Sequence, residues 1–149
     1  MKIEAKTIDE RIAKSGKYAD SLSKLDKLIV ETAPELVRRL FSGPSITMIG
    51  YGDLVWENMS SSGVWPVIAV APQKHQISMY VAAEENGMPL VQVYGKRLGQ
   101  TNNGKKSVRF KNFDDLDQAE LVSFITDAVK ASETQTRIYG RNCARPIGW

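Results

Sequence analysis

The chain predicts an α+β fold, with a run of strands framed by helices. Three observations carry that expectation. Near both ends, apolar residues recur every three or four positions, the spacing that lines one face of a helix. Between them lie stretches rich in β-branched and aromatic residues, some alternating apolar with polar, as in half-buried strands. Finally, helices, strands and a closing strand–helix pair come in segregated order rather than in βαβ alternation, which separates α+β from α/β. With 149 residues, 42% hydrophobic and 25% charged, the chain suits one soluble domain whose core needs no disulfide or metal staple.

Taken in order, Thr7 with Glu10 is a capping-box pattern, and Ile8 and Ile12 share a face, so a short helix is expected over about 8–14, ended by Ser15-Gly16. Tyr18, Leu22, Leu25, Ile29, Ala33 and Leu36 form the clearest apolar stripe, with Lys24, Asp26, Lys27 and Glu31 assigned to the other faces. Pro34 breaks this helix or starts a further helical piece at 35–41, which Gly43-Pro44 stops. Two short strands are expected at about 46–50 and 53–58, with Gly50-Tyr51-Gly52 bending one into the next and Ser60–Gly63 as a turn. The run VWPVIAVAPQ reads as one central strand buried on both faces, joined through Gln73–Gln76 to the alternating ISMYVA in an antiparallel hairpin. A broken helix is expected around 88–98, weakened by Gly87, Pro89 and Val91, and a short strand at 107–111. Asp117 with Glu120 caps a closing helix whose stripe is Leu121, Ile125, Ala128 and Val129. The domain is placed at 1–131, with 132–149 as an aperiodic C-terminal tail, a flexible or interacting arm.

Composition narrows the function classes. The formal net charge of +3 is a small excess, and the single Cys143 excludes an intramolecular disulfide. No apolar run approaches the length of a membrane helix, and the charged start MKIEAKTIDE lacks the apolar region of a secretory signal, so a cytoplasmic location away from membranes is expected. The Gly50-Tyr51-Gly52 step invites comparison with a phosphate loop, but Val55 stands where a dinucleotide fingerprint needs glycine, and no Gly-Lys-Ser/Thr follows. His75, the one histidine, falls in a hairpin turn; pairing it with Cys143 as base and nucleophile would require the tail to fold back onto the hairpin. Lys96, Arg97, Lys105, Lys106, Arg109 and Lys111, with Tyr94 and Phe110 beside them, form a basic segment. It carries no nucleic-acid motif, so a solvated loop is the expectation and nucleic acid is argued against. Tyr51, Trp56, Trp65 and Tyr80 fall on strands: core packing is the plain expectation, and a concave apolar site with His75 or Tyr80 as polar contacts is the alternative.

Three blocks together resemble the YdhG-like family: GPSITMIGYG with Trp56 after it, WPVIAVAPQKHQISMYV, and VRFKNFDDLDQAELVSFITDAV, covering about residues 5 to 131 in order. The resemblance implies a compact α+β domain with a mainly antiparallel sheet against helices. It also implies a largely unassigned function, with some members described as frataxin-like intracellular iron chaperones. On that basis Asp114, Asp115 and Asp117 become candidate iron ligands, since iron favours exposed oxygen ligands. Read alone, they and Glu120, like Asp9 and Glu10, are helix-start carboxylates that complement free N–H groups and the helix dipole. Three expectations follow: a non-enzymatic domain of unknown function without a cofactor; an iron-binding chaperone; or a small-molecule or protein-partner module using the sheet face, with the tail as an arm for a partner or a homo-oligomer.

Overall fold

The computed structural model describes residues 5–42, 47–57, 62–134, 137–138 and 141–144. In chain order these form α1 (Ile8–Ala13), a 3-10 turn (Gly16–Tyr18), α2 (Ala19–Thr32), β1 (Arg38–Ser42), β2 (Thr47–Tyr51), β3 (Leu54–Glu57), β4 (Ser62–Trp65), β5 (Ile68–Pro72) and β6 (Ile77–Val81). There follow β7 (Glu84–Glu85), β8 (Met88–Pro89), α3 (Leu90–Tyr94) with a 3-10 extension (Gly95–Leu98), β9 (Asn102–Asn103), β10 (Ser107–Phe110), a 3-10 turn (Phe113–Asp115), α4 (Gln118–Ser132), β11 (Arg137–Ile138) and β12 (Arg141–Ala144). The α+β expectation holds. Six strands make one antiparallel sheet in the order β1-β2-β5-β6-β10-β9, and β11-β12-β3-β4 make a second, smaller sheet.

α1 and α4 begin where their caps specify. The Thr7 hydroxyl accepts from the Glu10 N–H at 3.0 Å, and the Asp117 carboxylate from the Glu120 N–H at 3.1 Å. α2 and α4 cover one face of the main sheet, where Leu22, Leu25 and Ile29 meet Ile49, Ile68, Val70, Met79, Leu121, Phe124 and Ile125 in one buried cluster. Each such aliphatic side chain contributes about 1.5–3 kcal/mol by leaving water. On the reverse face, Met48, Ala69 and Ala71 are buried under half-buried Phe41, Trp65 and Tyr80. Gly50 belongs there because the Phe41 ring lies only 2.4 Å from where a Cβ would stand, so the ring replaces a side chain. Gly52, at φ +79°, turns the chain out of the main sheet and into β3.

Four expectations are corrected. Residues 38–42 are a strand, not part of a helical piece: β1 pairs along its length with β2, and the ladder overrides the helical propensity of ELVRRL. The run VWPVIAVAPQ is not one strand. It breaks at Pro66, with Trp65 closing β4 of the small sheet and Ile68 opening β5 at the centre of the large one. The expected helix at 88–98 is shorter, because Asn86 (φ +53°) and Gly87 (φ +81°) turn a two-residue hairpin that takes Met88-Pro89 into β8. Within the aperiodic tail, residues 141–144 form a strand whose Cys143 and Ala144 pair with Trp56 and Val55 of β3.

Candidate functional site

The residues singled out from sequence do not converge. Tyr51 is 1% exposed and faces the helices. Its hydroxyl donates to Asp26 Oδ1 at 2.6 Å, while Arg38 grips the same carboxylate with Nε at 2.9 Å and Nη2 at 2.6 Å. Burial, reinforced by the Asp26 charge, pushes the Tyr51 phenol well above its ordinary value. Asp26 is therefore corrected from a solvent-facing residue to a buried one, the hub of a brace tying α2 to β1 and β2. Trp65 and Tyr80 help fill the reverse-face cluster, and the Tyr80 oxygen accepts from Gln73 Nε2 at 3.3 Å. Trp56 lies in the small sheet between Cys143 and Gly63. His75 is exposed on the β5–β6 turn, at a hollow of about 320 Å³ shared with Lys17, Tyr18, Lys111 and Asn112. His75 and Cys143 thus belong to different sheets.

The acidic candidates are engaged in capping. Asp115 accepts from the Asn112 N–H at 3.2 Å and Asp117 caps α4, while Asp114 is exposed. Among the described residues, no three or more His, Cys, Asp or Glu side chains stand close enough to hold one metal ion.

A second buried charge escaped the sequence reading. Arg11 is 0% exposed, with Nε donating to the Thr47 carbonyl at 2.9 Å and Nη1 to Ser15 Oγ at 3.3 Å. Its Nη2 finds no hydrogen-bond partner among the described residues, and burial lowers its pKa. This guanidinium ties α1 to β2.

Among the described residues, a concavity lies at the β9 edge of the main sheet. A groove of about 700 Å³ opens between α3 with its 3-10 extension, which contribute Val91, Gln92, Gly95 and Lys96, and the β9–β10 turn, residues 101–105. Its walls are fixed from behind. The Tyr94 hydroxyl donates to Asp127 Oδ2 at 2.5 Å, and its ring meets Phe124 edge-on at 5.1 Å. The Arg97 guanidinium lies 4.5 Å over the Tyr94 ring and reaches Glu120 at 2.8 Å. Gly99, at φ +119°, packs so closely on the next segment that a Cβ would lie 2.2 Å from the Asp115 carbonyl oxygen. Asn103 Nδ2 donates across the groove to the Gly95 carbonyl at 3.0 Å, which leaves Asn103 Oδ1 without a partner among the described residues; Thr101 Oγ1 is likewise unpaired. Such shielded polar atoms cost about 1–3 kcal/mol each when nothing satisfies them. Of the cations in residues 96–111, Arg97 is committed to Glu120 and Lys106 to Glu84, whereas Lys96, Lys105, Arg109 and Lys111 have no acidic partner among the described residues, and of these four Lys96 and Lys105 line the groove. Among the described residues, no carboxylate lines the groove. The arrangement offers positive charge, amides and a hydroxyl on a rigid frame, and the basic composition of residues 96–111 was its one sequence signal.

Comparisons with known protein families, with curated proteins and with solved structures find no match for this chain.

Proposed function

We propose that this protein is a binding module that takes a small polar ligand in the groove between α3 and the β9–β10 turn. The observation that carries the reading is a groove of about 700 Å³ whose lining is more polar than apolar and, among the described residues, includes no carboxylate, set against braced elements. Ligand sites are commonly preformed concavities of roughly 300–1,000 Å³ with a few fixed polar groups. The reading moves the binding surface from the sheet face to the sheet edge, because Phe41, Trp65 and Tyr80 pack over that face themselves. It is a reading of binding rather than catalysis, and it assigns no catalytic role to His75 or Cys143. Membership of the YdhG-like family is part of the same proposal. Its support is the three sequence blocks, which fall on β2, on the β5–β6 hairpin and on β10 through α4.

The test is a metabolite library screened by amide chemical-shift mapping on the isotope-labelled chain. Saturable shifts confined to Gly95, Lys96 and residues 102–105 are expected for at least one compound. Shifts that instead gather around Trp65 and Tyr80 would return the site to the sheet face, and a library that leaves the groove amides unmoved would defeat the reading.

A further inference from the structure

We propose that the groove's ligand is a phosphate monoester of a polyhydroxylated small molecule, of the sugar-phosphate type, with its phosphate on Lys96 and Lys105 and its hydroxyls on Thr101 and Asn103. The proposal rests on the reading of the groove as a binding site and adds the class of ligand.

Charge selects the anion. The neighbouring cations Arg97 and Lys106 are neutralised by Glu120 and Glu84, and Arg109 donates to Ser107 Oγ behind Gly104, so the positive charge of the groove's own lining lies on Lys96 and Lys105. A dianionic phosphate answers two ammonium groups, and lysine serves phosphate as a mobile point charge. The floor selects the hydroxyls. Asn103 uses its NH₂ on the Gly95 carbonyl, so its free Oδ1 is an acceptor that calls for a donor. Thr101 Oγ1 is also unpaired and can donate or accept. Inorganic phosphate at neutral pH answers the lysines but carries its P–OH donors only on the phosphate itself, whereas a sugar hydroxyl set apart from the phosphate answers the floor atoms once the ligand's entry uncovers them. An apolar ligand is disfavoured, because Val91 is the one large apolar side chain of the lining. A nucleic-acid backbone, with one charge per phosphodiester and no free hydroxyl in DNA, matches the lysines but not the floor.

Ribose 5-phosphate, ribose, inorganic phosphate and a short oligothymidylate are titrated separately into the isotope-labelled full chain, with the amides of Gly95, Lys96, Asn103, Gly104 and Lys105 as the readout. Ribose 5-phosphate is expected to saturate these shifts, with ribose and inorganic phosphate each at least about tenfold weaker. The double variant Lys96→Gln/Lys105→Gln, changed at exposed positions, should keep its thermal midpoint and bind ribose 5-phosphate about five- to thirtyfold more weakly. Thr101→Val should weaken ribose 5-phosphate but leave inorganic phosphate unchanged. Equal binding of ribose would remove the phosphate from the proposal, equal binding of inorganic phosphate would remove the hydroxyls, and tighter binding of oligothymidylate would make the groove a nucleic-acid track; each overturns it. Undiminished binding by the double variant overturns it as well. If ribose 5-phosphate fails while a neutral metabolite moves the same amides, the ligand class falls and the binding module stands. If nothing moves them, both fall.

Discussion

A phenol that is shielded from water and donates to a carboxylate resists losing its proton, and two tyrosines in this molecule are so placed. Burial and Asp26 raise the Tyr51 pKa, while burial and Asp127 raise that of Tyr94. In the unfolded chain both titrate near pH 10. Above that pH the unfolded state sheds two protons that the folded state keeps, so each tyrosine contributes stability that is complete below pH 10 and lost as pH climbs toward the folded value. The urea midpoint should therefore hold steady between neutral pH and about pH 9, then fall. Tyr51→Phe should flatten part of that fall and Tyr51→Phe/Tyr94→Phe more of it. An alkaline decline identical in wild type and double variant would mean that lysine titration alone drives it. The Tyr51 brace was partly legible. Asp26 stands four residues after Leu22 and three before Ile29, on the apolar stripe itself, and Arg11 likewise shares a helical face with Ile8 and Ile12. A charge on a stripe position signals either a weak helix or a buried partner, and here it is the second. The partners, Arg38 and the Thr47 carbonyl, stand 12 and 36 residues away, and no local pattern could name them.

At the scale of elements, the helix ends give the sharpest test, because each of the three candidate iron ligands has a different local environment. Asp117 satisfies an otherwise free N–H at the start of α4, so Asp117→Ala should cost about 1 kcal/mol. Asp114 is exposed and has no hydrogen bond among the described residues, so Asp114→Ala should stay within about 0.5 kcal/mol of wild type. Thermal denaturation separates the two. Equal losses would point to a role the carboxylates share, such as a common cation, rather than to individual caps. The elements that could be read were those whose signals are local: the Thr7 and Asp117 caps, the α2 and α4 stripes, and the alternation of β6. The elements misread were decided by partners. Residues 38–42 extend because β2 supplies a ladder and Asp26 an ion pair. The apolar run through Pro66 divides because its two halves join different sheets. The groove at β9 was legible only as basic composition, since its shape depends on α3 stopping at Gly95 beside a hairpin that follows it in sequence.

At the scale of the molecule, β3 and β4 are an excursion. β2 and β5 are neighbours in the main sheet, and the chain between them leaves at Gly52, forms the β3–β4 hairpin and returns at Pro66. β12 anneals to the free side of β3, with Cys143 opposite Trp56 and Ala144 opposite Val55. The large buried cluster draws its described members from residues 18 to 128, Leu54 of β3 among them. The two sheets have separate ladders and should accordingly differ in how they open, since local opening follows buried apolar contact and ladder pairing. A chain ending at Thr134 should keep the hydrogen-exchange protection of Val70 and Met79 in β5 and β6. It should lose protection at whichever of Val55 and Trp56 turns its N–H toward β12, and expose a strand edge that invites association between copies. Should Val70 and Met79 also lose protection, the small sheet would belong to the same cooperative unit as the main one, and the tail would support the core that frames the groove rather than only the excursion beside it.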